Sequence, residues 1–398
     1  MRKLLIAILV IVGSLSLSVA LFEFGLRLAG VSYPVLQAHD PIRGFKLRPG
    51  ASGWWLREGK AFVEINPDGQ RDRLYDKAKP SDTLRIAVLG DSFAEARSVA
   101  VTDTFWAVME QELNRCLTST GKAVEVINFG VTDYGTAQEL LTLRHHVWDY
   151  GPDVVLLAFF AGNDIRNNHR RLEPKKYRPF YNYDGGDLVV DNSFLETSTY
   201  RILSSQYGRT ILFLSDYFIT VQLMREAFVR LKLRKPRNDK KDKHRDRMAE
   251  AGIDVNNIYK APDDANWQQA WRVTEGLVDR IADEVEAGGA RFLAVTLSTA
   301  LQVHPDTEYR QKVMADLGVS DLSYPDLRIK SLGDRRGFDV LNLATDLRQY
   351  AETHKAFLHG FENTELGTGH WNEMGHHVAG KLIADFLCTG QGANFASP

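Results

Sequence analysis

Four short segments carry side chains or backbone groups suited to acyl chemistry. Ser92 stands in Gly90-Asp91-Ser92-Phe93, just after the apolar run Arg85 to Leu89. A serine at a strand-to-helix turn presents its hydroxyl at the sheet edge, and neighbouring backbone N–H groups point at whatever it attacks. Taken alone it reads as a helix cap. Gly130, in Asn128-Phe129-Gly130-Val131, lets backbone approach a ligand closely, or is an ordinary turn glycine. Asn163, in Ala161-Gly162-Asn163-Asp164, offers a carboxamide donor that reaches an oxyanion, or sits in a turn. His370, in Gly369-His370-Trp371-Asn372, is a neutral imidazole able to take a hydroxyl proton and return it; singly, it reads as a solvated loop histidine.

The elements that must position these groups follow a βαβ rhythm. Apolar runs at Arg85–Leu89, Val124–Phe129, Asp153–Phe160, Arg291–Leu297 and Phe338–Leu343 predict five strands. The third is nearly all apolar, as in a parallel sheet covered on both faces. Between them, helical spacing places Phe105, Met109, Leu113 and Cys116 on a helix capped by Asp103. Further helices are predicted over Thr136–Trp148 and Trp267–Ala287, with a last one from near Asn372 carrying Met374, Val378, Leu382 and Phe386 on one face. The expectation is an α/β fold: a three-layer, doubly wound, flavodoxin-like parallel sheet of five strands. Sites in such sheets lie at the carboxyl ends of the strands, where Ser92, Gly130 and Asn163 fall.

Residues 166–262 break the rhythm as an insertion. It holds one helix-like stretch, Tyr200 to Lys232, and a basic run, Arg230 to Arg247, with ten basic residues against three acidic. That run reads as a solvated face, with anionic head groups or an anionic polymer as the sharper alternative.

At the N-terminus, Arg2 and Lys3 precede an uncharged run from Leu4 to Phe22. At ~1.5 Å per residue it crosses a bilayer's hydrocarbon core. The basic residues stay in the cytoplasm and the remainder is exported. A cleaved signal with Ser18-Val19-Ala20 as its site is the rival, but the run exceeds an h-region of ~7–15 residues. The expected location is therefore the inner membrane, single-pass, with the folded part on the extracytoplasmic side. The expected organisation is a signal-anchor over 1–22, a membrane-proximal extension over 23–80, and the α/β domain over 81–390. In the extension, Glu23 and Arg27 are four apart and pair on one helix face. Trp54 and Trp55 meet the lipid interface or fold onto the domain, and Phe62–Ile65 reads as a strand ending in a turn. A net charge of −2 over 398 residues gives no sign of nucleic-acid binding. His376 and His377 point ~100° apart on a helix and make a poor metal pair. His145 and His146 read as helix-surface residues. No metal and no cofactor are implied.

Together, the segments around Ser92, Gly130, Asn163 and His370 resemble the sequence blocks of the SGNH (GDSL-like) hydrolases, over about residues 81–388. The resemblance implies Ser92 as nucleophile, Gly130 and Asn163 in an oxyanion hole, and His370 as base, acting on esters through an acyl-enzyme. Ile65–Asp72, Leu84–Ser92 and Phe159–Ile165 are also similar to membrane-anchored members that accompany bacterial envelope polysaccharide genes. That implies an O-acyl ester, O-acetyl above all, on such a glycan, with polysaccharide-assembly proteins as partners. Two positions depart from the pattern. Ala161 stands where the third block often begins with Gly. Gly367 and Thr368 stand where the family has the Asp that orients the histidine. A Ser–His dyad oriented by a backbone carbonyl or Thr368 is one resolution; Glu365 or Glu362 filling the role is another. An acyltransferase using the same residues, or an inert polysaccharide-binding or assembly protein, are the other readings. This architecture also sets the helix after strand one beside the last helix, with Cys116 and Cys388 in their last turns. A bond between them, with Cα atoms within ~7 Å, is expected; two buried thiols are the alternative.

Overall fold

Val154–Phe159 leaves no residue facing water, as expected of a strand with helices on both sides. The computed structural model describes residues 1–118, 121–233 and 255–389. Its strands are β1 (Gln37–Asp40), β2 (Gly44–Leu47), β3 (Ser52–Trp55), β4 (Ala61–Glu64), β5 (Thr83–Gly90), β6 (Ala123–Asn128), β7 (Val154–Phe159), β8 (Phe180–Asp184), β9 (Asp187–Asp191), β10 (Arg291–Thr296) and β11 (Asp339–Asn342). Its helices are α1 (Arg2–Leu28), α2 (Ser92–Glu95), α3 (Phe105–Cys116), α4 (Thr136–His145), α5 (Asp164–Asn167), α6 (Ser198–Ser204), α7 (Gln206–Tyr217) and α8 (Ile219–Leu233), followed by α9 (Val255–Ile258), α10 (Ala265–Ala287), α11 (Thr307–Leu317), α12 (Tyr324–Arg336), α13 (Ala344–His354) and α14 (Glu373–Cys388).

The central sheet is parallel, in the order β6-β5-β7-β10-β11, the doubly wound flavodoxin-like order. Its register aligns the carboxyl ends: Val88 lies opposite Asn128, Gly90 opposite Ala158, and Thr296 opposite both Phe159 and Asn342. The segments after β5, β6 and β7 therefore leave the sheet at one edge. Helices α3 and α14 pack side by side, and α4 packs on α10. Cys116 and Cys388 form a disulfide between the last turns of α3 and α14, with Cα atoms 6.3 Å apart.

Several local expectations shift. Thr104, not Asp103, caps α3 through its hydroxyl, and Asp103 lies in a 3-10 turn. The helix from Thr136 ends at His145 and resumes as a 3-10 turn over Val147–Tyr150. The stretch Tyr200–Lys232 is three helices, broken at Ser205 and Phe218, where the backbone is extended. The insertion also holds a hairpin, β8–β9, turned at Gly185-Gly186, packed on α10. The side chains of the basic run Arg230–Arg247 lie outside the described residues.

Helix α1 is long and apolar enough to cross a membrane and is exposed along its length, apart from Glu23 and the half-buried Leu26. Glu23 pairs with Arg27, as their spacing implies, and its carboxylate also accepts from the N–H groups of Ile219 and Thr220 at 2.9 Å each. It thereby satisfies the first turn of α8. The extension then forms two hairpins, β1–β2 and β3–β4. Leu36, Phe45, Leu47, Val63 and Ile65 close a small core with Val131 and Tyr134, which follow β6. The extension is thus pinned to the very edge at which the chemistry-bearing segments emerge.

Candidate active site

Strand β5 ends at Gly90, and Asp91 caps the single turn α2 by accepting from Phe93 N–H at 2.9 Å. This sets Ser92 at the first position of the turn, half-buried. The turn closes at Ala96, with φ of +52°, a left-handed conformation costing a non-glycine residue ~1–2 kcal/mol. The fully buried Arg71 holds it there, donating to the carbonyls of Glu95 (2.7 Å), Ala96 (2.5 Å) and Val99 (2.6 Å).

His370 lies on a loop folded back on itself. Gly360 N–H donates to the His370 carbonyl, Asn372 N–H to the Leu358 carbonyl, and His359 bridges Trp371. The buried Trp371 indole donates to Ser298 Oγ at 2.9 Å. Burial holds His359 down to about 4, so it is neutral. Its Nδ1 donates to the Gly369 carbonyl (2.8 Å) and its Nε2 accepts from Ser298 (3.2 Å), a tautomer assigned from the network. Both neighbours of His370 are therefore fixed.

The result is direct contact across 278 positions: Ser92 Oγ lies 2.8 Å from His370 Nε2. The far ring nitrogen, Nδ1, meets Glu58 Oε2 at 2.5 Å, and Glu58 Oε1 accepts from the His370 backbone N–H at 2.7 Å. Glu58 comes from the turn of the β3–β4 hairpin, in the membrane-proximal extension. This corrects the expectation at the missing acid. Thr368 donates its hydroxyl to the Glu365 carbonyl, and the Glu362 and Glu365 side chains are exposed; none of them orients the ring. Gly369 makes the approach possible, since at its φ of +72° a Cβ would lie 2.1 Å from Glu58 Oε1. Asn363 ties the Glu58 turn to the histidine loop, accepting from Gly59 N–H (2.9 Å) and donating to the Gly59 carbonyl (2.8 Å).

Burial by itself would raise the Glu58 carboxyl and lower His370, but each stabilises the charge of the other. The Glu58 pKa falls below its ordinary value and that of His370 rises above its own. Asp91 is pushed up to about 6, chiefly by burial, against the Phe93 N–H, the charge of His370 and a hydrogen bond from Asn163. Behind it, Glu139 and Asp164 are fully buried carboxyls that burial, then mutual and Asp91 repulsion, raise well above their ordinary values. Neither oxygen of Glu139 has a partner among the described residues.

Asn163 caps α5 at the same edge and is nearly buried; its Oδ1 is unpartnered, while its side chain bonds to Asp91. Gly130 is brought to the back of the nucleophile turn. A Cβ there would lie 2.4 Å from Ala94 Cβ, so glycine admits the close packing. Its N–H is engaged by Asn128 Oδ1 at 2.9 Å, which departs from the expectation of a free oxyanion donor. A cleft beside the Ser–His pair is lined by Trp55, Glu58, Arg97 and Thr132. Arg97 stacks on Trp55 and pairs with the buried Glu95. His376 is a core residue whose Nδ1 accepts from Phe105 N–H, and among the described residues no His, Cys, Asp and Glu group suits a metal ion.

Sequence reading missed Glu58, Arg71, Ser298 and His359. Glu58 sits in Arg57-Glu58-Gly59-Lys60, a turn recognisable only by its glycine and the flanking alternation. Nothing local ties it to a histidine 312 positions away.

No family model matches the chain, and no curated protein does. Several solved structures are similar. One is LAE5, an alpha/beta hydrolase enzyme from the metagenome of Lake Arreo, Spain, at 13% identity and TM-score 0.38, covering 77% of this chain and 95% of that one. The acetyl xylan esterase AlAXEase matches at 12% identity and TM-score 0.36, covering 75% and 98%. The lipase/acylhydrolase from Enterococcus faecalis matches at 12% identity and TM-score 0.37, covering 77% and 96%. Likeness at this level carries no functional information, whereas the side-chain geometry does.

Proposed function

We propose that the protein is a serine ester hydrolase with Ser92 as nucleophile, His370 as general base and Glu58 as the acid that orients it. The observation that carries the reading is the unbroken line Ser92 Oγ to His370 Nε2 (2.8 Å) and His370 Nδ1 to Glu58 Oε2 (2.5 Å). With Nδ1–H donated to Glu58, Nε2 is the free base that accepts the Ser92 proton. Ser92 Oγ attacks the ester carbonyl as its proton passes to Nε2. The carbon–oxygen bond to the alcohol then breaks, and His370 returns the proton to the leaving oxygen. Water enters, gives a proton to His370 and attacks the acyl-enzyme; the acid departs and Ser92 regains its proton. Glu58 holds the tautomer and stabilises the imidazolium without itself taking the proton. The oxyanion faces Ser92 N–H and the Asn163 carboxamide, while Gly130 supplies clearance behind the turn. Removing one such donor costs ~100- to 1000-fold in rate.

Glu58 supplies a carboxylate to His370 although positions 367 and 368 lack the family's Asp, which supports a working catalytic site over an inert protein. The substrate we propose is an O-acyl ester, O-acetyl above all, on an envelope polysaccharide. It is supported by the sequence resemblance and by α1, read as a single-pass anchor that leaves the domain outside the cytoplasm. A serine-directed fluorophosphonate probe tests the chemistry. The full chain labels at Ser92, and Ser92→Ala does not; labelling that survives this substitution overturns the assignment.

A further inference from the structure

Helices α6 to α8 expose an unusual amount of apolar side chain. Ile202, Phe213, Tyr217, Phe218, Met224 and Phe228 are each 45–64% exposed, within one stretch of 27 residues. Scattered single apolar side chains are normal on a surface, whereas a concentration like this marks a contact. Phe213 and Tyr217 are four apart on α7 with rings 4.9 Å apart, and Met224 and Phe228 are four apart on α8, so each helix presents a face.

The position of this surface relative to α1 says what covers it. Phe218, at the elbow between α7 and α8, lines one apolar groove with Ile11, Leu15, Val19 and Phe24 of α1. The same elbow is fastened by Glu23 to Ile219 and Thr220, and by Arg27, which donates to the Tyr217 carbonyl at 2.5 Å. The elbow therefore sits one to two turns from the end of α1, at the depth where a spanning helix leaves the hydrocarbon. Aromatic rings are favoured at that depth, and the exposed Arg201 and Arg209 on α6 and α7 suit anionic head groups.

We infer that α6–α8 form a platform lying in the outer interface of the bilayer, its occupant a lipid surface, and that it holds the Ser92 site close to that surface. The inference rests on reading α1 as the anchor. The links to the site are short. Tyr33 N–H, five residues beyond Leu28, donates to Gln222 of α8 at 3.0 Å. The Arg57 guanidinium stacks on Tyr33, 5.6 Å from its ring centre, and pairs with Glu226 of α8; Glu58 is the next residue. These contacts tie the turn that carries Glu58 to α8 and to the segment that leaves α1.

The test uses the full chain in phosphatidylethanolamine–phosphatidylglycerol liposomes, with one nitroxide-labelled cysteine at a time. The native cysteines are bonded and do not label. Labels at Phe213→Cys and Met224→Cys are compared with Leu9→Cys in α1 and Lys312→Cys on the exposed side of α11. Collision with oxygen, which concentrates in lipid, is measured against collision with a water-soluble nickel chelate. The expected result is an oxygen-to-nickel ratio several-fold higher at Leu9, Phe213 and Met224 than at Lys312. If Leu9 is lipid-facing while Phe213 and Met224 match Lys312, the platform is wrong and the anchor stands. If Leu9 also matches Lys312, the anchor reading fails and takes the platform with it. Dipolar broadening between labels, with both reagents excluded, means a second copy covers the face and equally overturns the inference.

Discussion

Glu58 and His370 shift each other's ionisation in opposite senses, and that exchange defines how the site responds to change. The neutral imidazole is the active base, so activity rises with pH through the pKa of His370, which Glu58 holds above the ordinary 6.5. In Glu58→Gln the ring loses its charge partner, and the amide has one acceptor oxygen where the carboxylate has two, so it cannot accept from both the backbone N–H and Nδ1–H of His370. The expected outcome is a fall in kcat of about 10⁴-fold, the scale seen when a triad acid becomes an amide, with the midpoint of the kcat/KM profile moving to lower pH. A pH–rate profile of the variant on a soluble acetyl ester checks both; an unmoved midpoint removes Glu58 from its role. At this scale the sequence was informative about the residues that follow strands. Ser92 and Asn163 each follow a strand of the sheet, where the fold rule points, and His370 stands just before the last helix. Glu58 was not legible, because its partner is set by how a hairpin docks, a tertiary fact without local periodicity. The same holds for Arg71, whose two terminal guanidinium nitrogens donate to the backbone carbonyls of Glu95, Ala96 and Val99.

Among the elements, the helices that carry most of the burial were read closely and the irregular ones were not. The five strands and α10 match their predicted spans to within a few residues, since their apolar runs are long and dictated by the covered sheet. Between Tyr200 and Lys232 the apolar content looked continuous, yet the chain breaks at Phe218. There the Glu23 carboxylate, from nearly 200 residues earlier, supplies the acceptors that start a new helix. The link between α3 and α14 is the element-scale feature that the architecture implied. It closes a loop of 272 positions, so the denatured chain loses much freedom. Replacing both cysteines by alanine is expected to cost roughly 2–4 kcal/mol in stability, on the scale usual for a disulfide. Urea titration of the variant measures it. Since Cys388 ends α14, fifteen residues beyond its start at Glu373 and so far from His370, initial rates well below the transition should stay close to those of the parent.

Across the whole molecule, the ionisable groups pull stability and activity to different pH. Folded Glu139 and Asp164 keep protons that the unfolded chain releases near its ordinary carboxyl values. Their contribution is intact below those unfolded values and is lost as pH rises through the folded ones. His370 acts in the same direction, its stabilisation being complete below 6.5 and fading above its raised folded value. The opposite holds for His146, His359 and His376, which burial holds down to about 4, 4 and 3. The folded state refuses protons that the unfolded chain takes up below 6.5, so stability falls as the medium is acidified from there. Glu58, lowered by its pairing with His370, adds to that acid limb, because its stabilisation is lost as pH falls through its folded value. Above the ordinary histidine value the neutral buried histidines no longer contribute a slope and the raised groups still do, so Tm should decline as pH rises beyond about 6.5. Hydrolysis should still be climbing over that interval, as His370 loses its proton. Scanning calorimetry beside a rate profile in the same buffers measures both curves. Glu139→Gln isolates the cause: the amide cannot ionise, so its Tm should exceed that of the parent on the alkaline side and converge with it as pH falls toward the carboxyl range. A parent Tm that keeps rising above pH 7, or a Glu139→Gln variant that parallels the parent throughout, would mean that the buried carboxyls behind Ser92 do not hold their protons in the folded state.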